Sequence, residues 1–176
     1  MKSIIASAIL VLIAAGCSTT NSLIRLAPDY SELPAENLRS LASTIEEAVT
    51  EGDEAPTLAT AGEIEVETPA MRQAIRTRAI RYPLLSEMLD AGFAFEGDNG
   101  LIAIRRNSAY KKATTSRQRD REAMLVMSEN SNRWAIYEGL VEANEWPPRS
   151  LSAVQETFFK ARVPLLKPGQ QHAPAE

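Results

Sequence analysis

The sequence contains one cysteine and one histidine in 176 residues. A lone cysteine closes no internal disulfide, and one cysteine with one histidine supplies too few ligands for a zinc or iron–sulfur site. His172 falls in a terminal stretch rich in Pro, Gln and Ala, which leaves no basis for a histidine-centred triad. Aromatic residues amount to 6%, so the core must be mainly aliphatic. The net charge of −4 argues against a nucleic-acid-binding protein. No side-chain pattern calls for a cofactor. What the chain does have, 44% hydrophobic and 24% charged residues, is the balance of a globular domain with a real core.

The most informative stretch is the N-terminus. Lys2 supplies a short positive region, and Ile4 to Ala15 is an apolar run interrupted only by Ser7. It is too short to span a bilayer as a helix and has the length of a signal-peptide core. It ends in Ala14-Ala15-Gly16-Cys17, with small residues directly before the only thiol. The arrangement resembles a bacterial lipobox, in which the cysteine is lipidated and becomes the first residue after cleavage. Residues 1–16 are therefore expected to be a lipoprotein signal peptide, with Cys17 as the lipidation site. Residues 17–29 are expected to be a polar tether to the membrane. Ser18, not Asp, follows the cysteine. By resemblance to enterobacterial sorting signals, this implies the outer membrane of a Gram-negative bacterium, with the protein facing the periplasm.

The charges are unevenly distributed. Asp29 to Glu67 holds eleven acidic residues and one basic one, whereas Thr68 to Arg121 holds eleven basic and five acidic. Leu38, Leu41, Ile45 and Val49 recur at helical spacing, with Pro34 suited to the start and Gly52 to the stop. Residues 30–67 thus read as an acidic helical arm followed by a flexible loop. Met71, Ile75 and Ala79 place a second helix from Pro69, with Arg72, Arg76, Arg78 and Arg81 along its outer surface. Pro83 is expected to kink or restart it before Gly92 closes it. Asp98-Asn99-Gly100, between Phe93/Phe95 and Ile102/Ile104, signals a short hairpin or ordered loop. The longest helix is expected over 115–144, with Ala123, Met127, Trp134, Tyr137 and Val141 inward and Ile136 and Leu140 widening the stripe. A last helix, Leu151 to Arg162, turns Leu151, Val154, Phe158 and Ala161 to the core. The fold class is mainly α, a small helical domain with a short central β-hairpin or loop, and residues 167–176 are expected to be a disordered tail.

The stretch from Ala91 through Gly92, Glu96 and Gly100 to Ile104 resembles the central motif of the YdbL-like family of small bacterial envelope proteins. Met127 to Trp134, then Tyr137, Leu140, Leu151, Val154, Phe159 to Arg162 and Lys167-Pro168-Gly169, are similar to that family's second half. The resemblance makes residues 68–166 a YdbL-like helical domain. The family's usual Gly-Glu pair reads Phe95-Glu96 here, and a lipobox stands where members carry an ordinary secretory signal. The resemblance implies a periplasm-facing, mostly helical accessory protein with no established enzymatic activity. Its implied partners are an AsmA-like membrane-bridging protein and a small outer-membrane lipoprotein, in a system that moves phospholipid.

Few residues present themselves for chemistry. Glu96 and Asp98 flank a turn, where Asp and Asn ordinarily bond their own backbone, and no nucleophile with a base lies nearby. No catalytic residue is assigned. Gly92, Glu96, Gly100, Asn130 and Trp134 are motif residues with structural roles. Asn130 interrupts an apolar stripe and is expected to bond the hairpin. Arg105, Arg106, Lys111, Lys112, Arg117, Arg119 and Arg121 could form a surface for anionic lipid or an acidic partner. The simpler reading is a solvated face balancing the acidic segment. The leading function is thus a non-enzymatic envelope accessory lipoprotein; the alternative is a lipoprotein enzyme or binding protein acting on cell wall or lipid.

Overall fold

The computed structural model describes residues 27–58, 64–66 and 68–173. Cys17 and the signal peptide lie outside the described residues. Within them the architecture is mainly α, with helices α1 (Ala35–Glu51), α2 (Pro69–Asp90), α3 (Ser108–Ala113), α4 (Ser116–Ala143) and α5 (Leu151–Arg162). Strands β1 (Ala94–Glu96) and β2 (Ile102–Ile104) pair antiparallel, with Phe95 opposite Ala103.

The helix ends follow from local chemistry. Gly52 closes α1 at φ 79°, and the Asp53 N–H reaches back to the Ala48 carbonyl at 2.8 Å. Thr68 caps α2 by accepting from the Met71 N–H at 3.2 Å, with Pro69 in the first turn. Thr115 and Gln118 form a reciprocal capping box on α4. Pro83 does not interrupt α2, contrary to the sequence expectation. Buried Ile75 and Ala79 before it and Leu85, Met88 and Leu89 after it anchor both halves, so packing overrides the lost backbone bond.

Helix α1 packs on α2 and α5, and α4 packs on α2 and α5, so the four long helices close a cycle. The main core joins Leu38, Leu41 and Ile45 of α1 to Met71 and Ile75 of α2, Ile136 and Leu140 of α4, and Val154 and Phe158 of α5. The acidic helix is therefore part of the main domain's core and not a separate arm. The expected flexible loop after it contributes buried Leu58, Ile64 and Val66. Asn144 fastens it by exchanging two bonds with the Glu65 backbone, at 2.7 and 2.9 Å. A smaller cluster of Leu85, Met88, Leu89, Ala94, Ile102 and Val126 seats the hairpin on α2 and α4.

The segment 167–173, expected to be disordered, packs against the hairpin. The Glu96 N–H donates to the Gln171 carbonyl at 3.0 Å, and the Ala173 N–H to the Glu96 carbonyl at 2.7 Å. His172 meets the Phe159 ring edge-on at 6.0 Å. A two-stranded ribbon leaves backbone groups unpaired at its edges, and this segment satisfies those of Glu96 on β1.

Candidate functional site

Each long helix carries charge on its inward stripe: Glu46 on α1, Arg78 on α2, Glu129 and Arg133 on α4, and Arg162 on α5. Glu96 joins them from β1. All six are no more than 5% exposed. Arg78 grips Glu46 with two bonds, at 2.9 and 2.8 Å, and donates its Nε to Glu129 Oε1 at 2.9 Å. The same Glu129 oxygen accepts Arg133 Nε at 2.6 Å. Arg133 then grips both Glu96 oxygens, at 2.7 and 2.9 Å. Arg162 Nε lies 3.0 Å from Glu96 Oε2 as an ion pair without hydrogen-bond alignment. Its Nη1 closes the circuit on Glu46 Oε1 at 3.1 Å. The result is a ring of alternating charge in which every arginine bridges two glutamates and every glutamate two arginines.

The ring also holds the hairpin turn. The Gly100 carbonyl accepts from Arg133 Nη1 at 3.2 Å, Tyr137 Oη at 2.8 Å and Arg162 Nη2 at 2.8 Å. Gly100 sits at φ 76°, and a Cβ there would come within 2.9 Å of the Gln155 carbonyl oxygen. Both the backbone conformation and the close approach require glycine.

Burial of six charges is costly, and removal of any one leaves an uncompensated charge inside. Here three of each sign neutralise one another. Burial pushes the Glu129 carboxyl upward, but attraction to Arg78 and Arg133, with their hydrogen bonds, outweighs it and holds the group at about 2. Glu46 and Glu96 are lowered in the same way, against burial, by Arg78 with Arg162 and by Arg133 with Arg162 respectively. Arg78 and Arg133 are raised: burial opposes their charge, and the glutamates more than offset it. Carboxylates so held neither take nor give a proton near neutral pH. The cavity beside the ring, lined in part by Val49, Tyr82 and Leu89, is about 20 Å³, room for about one water. The ring joins five elements, and its chemistry is that of a scaffold.

Of the residues singled out in the sequence, Glu96 and Gly100 meet in this ring. Gly92 lies just beyond α2 at φ 68°. Asn130 bonds the hairpin: its Oδ1 accepts from the Ile102 N–H at 2.9 Å and its Nδ2 donates to the Ile102 carbonyl at 3.0 Å. Trp134 is only half-buried and belongs to neither core cluster, and Met127 is 71% exposed. Ile136, Tyr137 and Leu140 are buried as expected, and the rest of the inward stripe of α4 is Val126, Glu129 and Arg133. An apolar-only reading shifted the stripe because two inward positions are charged. Arg78, expected on the outer surface, is buried for the same reason. The missed signal was charge at stripe spacing on each of four helices, two glutamates and three arginines, which Glu96 of β1 brings to balance.

The residues of the basic run differ in their surroundings. Arg105 lies 5.1 Å over the Phe95 ring and bonds Gln171, and Arg119 donates to the Thr114 carbonyl at 2.6 Å. Arg106, Lys111 and Arg119 line a shallow hollow shared with Asp120 between α3 and α4. Arg121 lines a different groove, with Leu84 of α2. Arg106, Lys111, Lys112, Arg117 and Arg121 are exposed.

Among the described residues, no group of three or more His, Cys, Asp or Glu side chains is arranged to hold a metal ion, and no helix is long and apolar enough to cross a membrane. The arrangement defines a small, mainly helical domain organised around a buried ionic ring. Comparison with known protein families, curated proteins and solved structures gives no match.

Proposed function

We propose that this protein is a non-enzymatic envelope lipoprotein, anchored through Cys17 to the outer membrane and facing the periplasm. It serves as an accessory or assembly factor for an AsmA-like membrane-bridging system that moves phospholipid, the partnership implied by the YdbL-like motif. The observation that carries this reading is the state of Glu96. This acidic residue of the central motif is ionised and shared between Arg133 and Arg162, so it works as a structural strut and has no proton to exchange. The motif residue then supplies shape for a partner and not reactivity for a substrate. The leader supports the anchored location: a short apolar run followed by small residues and a single cysteine.

Two measurements test it. Mass spectrometry of the mature N-terminus is expected to find an acylated Cys17; an unmodified Cys17, or a start elsewhere, would refute the anchor. Incubation with peptidoglycan and phospholipid panels is expected to give no turnover. Turnover that disappears in Asp98→Asn while the melting temperature is unchanged would replace the accessory reading with the enzymatic one. Capture of an AsmA-like protein from envelope membranes, lost when the hairpin turn is altered, is the expected positive result.

A further inference from the structure

The segment 167–173 lies on the outer edge of β1, and none of its residues belongs to either core cluster. Lys167, Pro168, Gly169, Gln171 and His172 are exposed. Polar contacts fasten it: Lys167 Nζ donates to Ser86 Oγ at 2.9 Å, and Gln170 Nε2 to Asp90 Oδ1 at 2.7 Å. It pairs with β1 at a single position, His172 beside Glu96, in parallel. A segment that buries so little apolar surface opens at a free energy well below that of the whole fold. What lies beneath does not depend on it. Glu96 is held by Arg133 and Arg162, and the hairpin by its own apolar cluster on α2 and α4. Lifting the segment leaves the Glu96 N–H and carbonyl unpaired on an intact strand, and an added extended chain pairs with such an edge.

The segment also fills this edge incompletely. Arg105, stacked 5.1 Å over the Phe95 ring, donates Nη2 to Gln171 Oε1. Its Nε is buried and, among the described residues, has no hydrogen-bond partner. Nε and Nη2 lie along one edge of the guanidinium, the edge that a carboxylate grips with both oxygens. The single amide oxygen of Gln171 satisfies half of it, and a buried N–H left unbonded is costly. We propose that the outer edge of β1 is a strand-acceptor site for an extended segment of a partner protein that places a glutamate beside Arg105. The partner segment pairs with Glu96 as residues 171–173 do here, and displaces them. This deepens the accessory reading and rests on it for the existence of a partner, whereas the edge itself is open to test with a peptide.

The test follows hydrogen exchange by NMR in the chain from Ser18 onward, which keeps every described residue. The reference is the Gly97 N–H, bonded to the Leu101 carbonyl at 2.8 Å within the hairpin. Protection at Glu96 is expected to be about tenfold or more below that at Gly97 and insensitive to low urea, the mark of a local opening. Ala173→Pro deletes the N–H bonded to the Glu96 carbonyl. It is expected to lower protection at Glu96 further and to leave Gly97 within about twofold. Lys167→Ala with Gln170→Ala releases the segment by a second route and serves if the proline alters the melting curve. A synthetic peptide with the sequence from Lys167 to Ala173, and the same peptide with Gln171→Glu, are then added to the Ala173→Pro chain at millimolar concentration. Both are expected to restore protection at Glu96. The glutamate peptide is expected to bind about fivefold tighter, because charge-assisted bidentate contacts are roughly twice as strong as neutral ones. Adding Arg105→Met to the chain is expected to remove that preference. Opening of Glu96 only together with Gly97, no restored protection with either peptide, or equal binding of the two peptides would each overturn the proposal. Peptide binding together with turnover on peptidoglycan or phospholipid would support the edge and overturn the accessory reading alone.

Discussion

Arg133→Met tests the ring most directly. The substitution keeps much of the side-chain volume and removes the charge. It deletes the bond to Glu129 at 2.6 Å, the two to Glu96 at 2.7 and 2.9 Å, and the one to the Gly100 carbonyl at 3.2 Å. The interior changes from three charges of each sign to an excess of one carboxylate. Breaking a buried pair by removing one partner costs about 3–5 kcal/mol, a large share of the 5–15 kcal/mol that holds an ordinary domain together. At about 2–4 °C per kcal/mol for a chain of this size, the melting temperature is expected to fall by roughly 6–20 °C. Adding Glu96→Gln restores neutrality, since Arg78 and Arg162 keep Glu46, and Arg78 keeps Glu129. The double variant is therefore expected to be more stable than the sum of the two singles implies, by about 1–3 kcal/mol. Urea unfolding followed by circular dichroism gives all four corners of the cycle. A single variant within about 0.5 kcal/mol of the natural protein, or strict additivity in the double, would refute the closed circuit.

Three further outcomes follow from the same geometry. Gly100→Ala is expected to cost about 1–3 kcal/mol, because it strains a positive-φ residue and drives a Cβ toward the Gln155 carbonyl; an unchanged urea midpoint would contradict this. Phe158→Ala, at the centre of the main core, is expected to cost about 3–5 kcal/mol, whereas Trp134→Ala, outside both clusters, is expected to cost clearly less; equal losses would put Trp134 back in the core. Acid is expected to destabilise the fold through the glutamates. Their folded values are lowered, so their contribution is complete above the ordinary carboxylate range and is lost as pH falls from about 5 toward the value near 2 held by Glu129. Denaturant midpoints that stay level or rise across that range would contradict the ring's ionisation.

Much of the architecture was already legible along the chain. Apolar spacing located α1, α2, α4 and α5, and capping residues such as Thr115 and Gly52 marked ends that depend only on local backbone chemistry. The hairpin was announced by Asp98-Asn99-Gly100, and the bond from Asn130 to the hairpin by the break it makes in an apolar stripe. Such features follow from nearest neighbours, and the sequence carries those directly. The short α3 gave no periodic signal, because one turn and a half is too short to show one. What tertiary structure alone decided is which charged residues go inside. Arg78 and Arg81 look alike on a helical projection, yet one is fully buried and the other is not. The difference is that Glu46 and Glu129, remote in sequence, converge on Arg78. A buried charge is tolerable only when its partners arrive from elsewhere in the chain, so its burial is a property of the assembled ring and of no single segment. The same holds for residues 167–173, whose composition suits a loose end and whose order comes from the open edge of β1 that they complete.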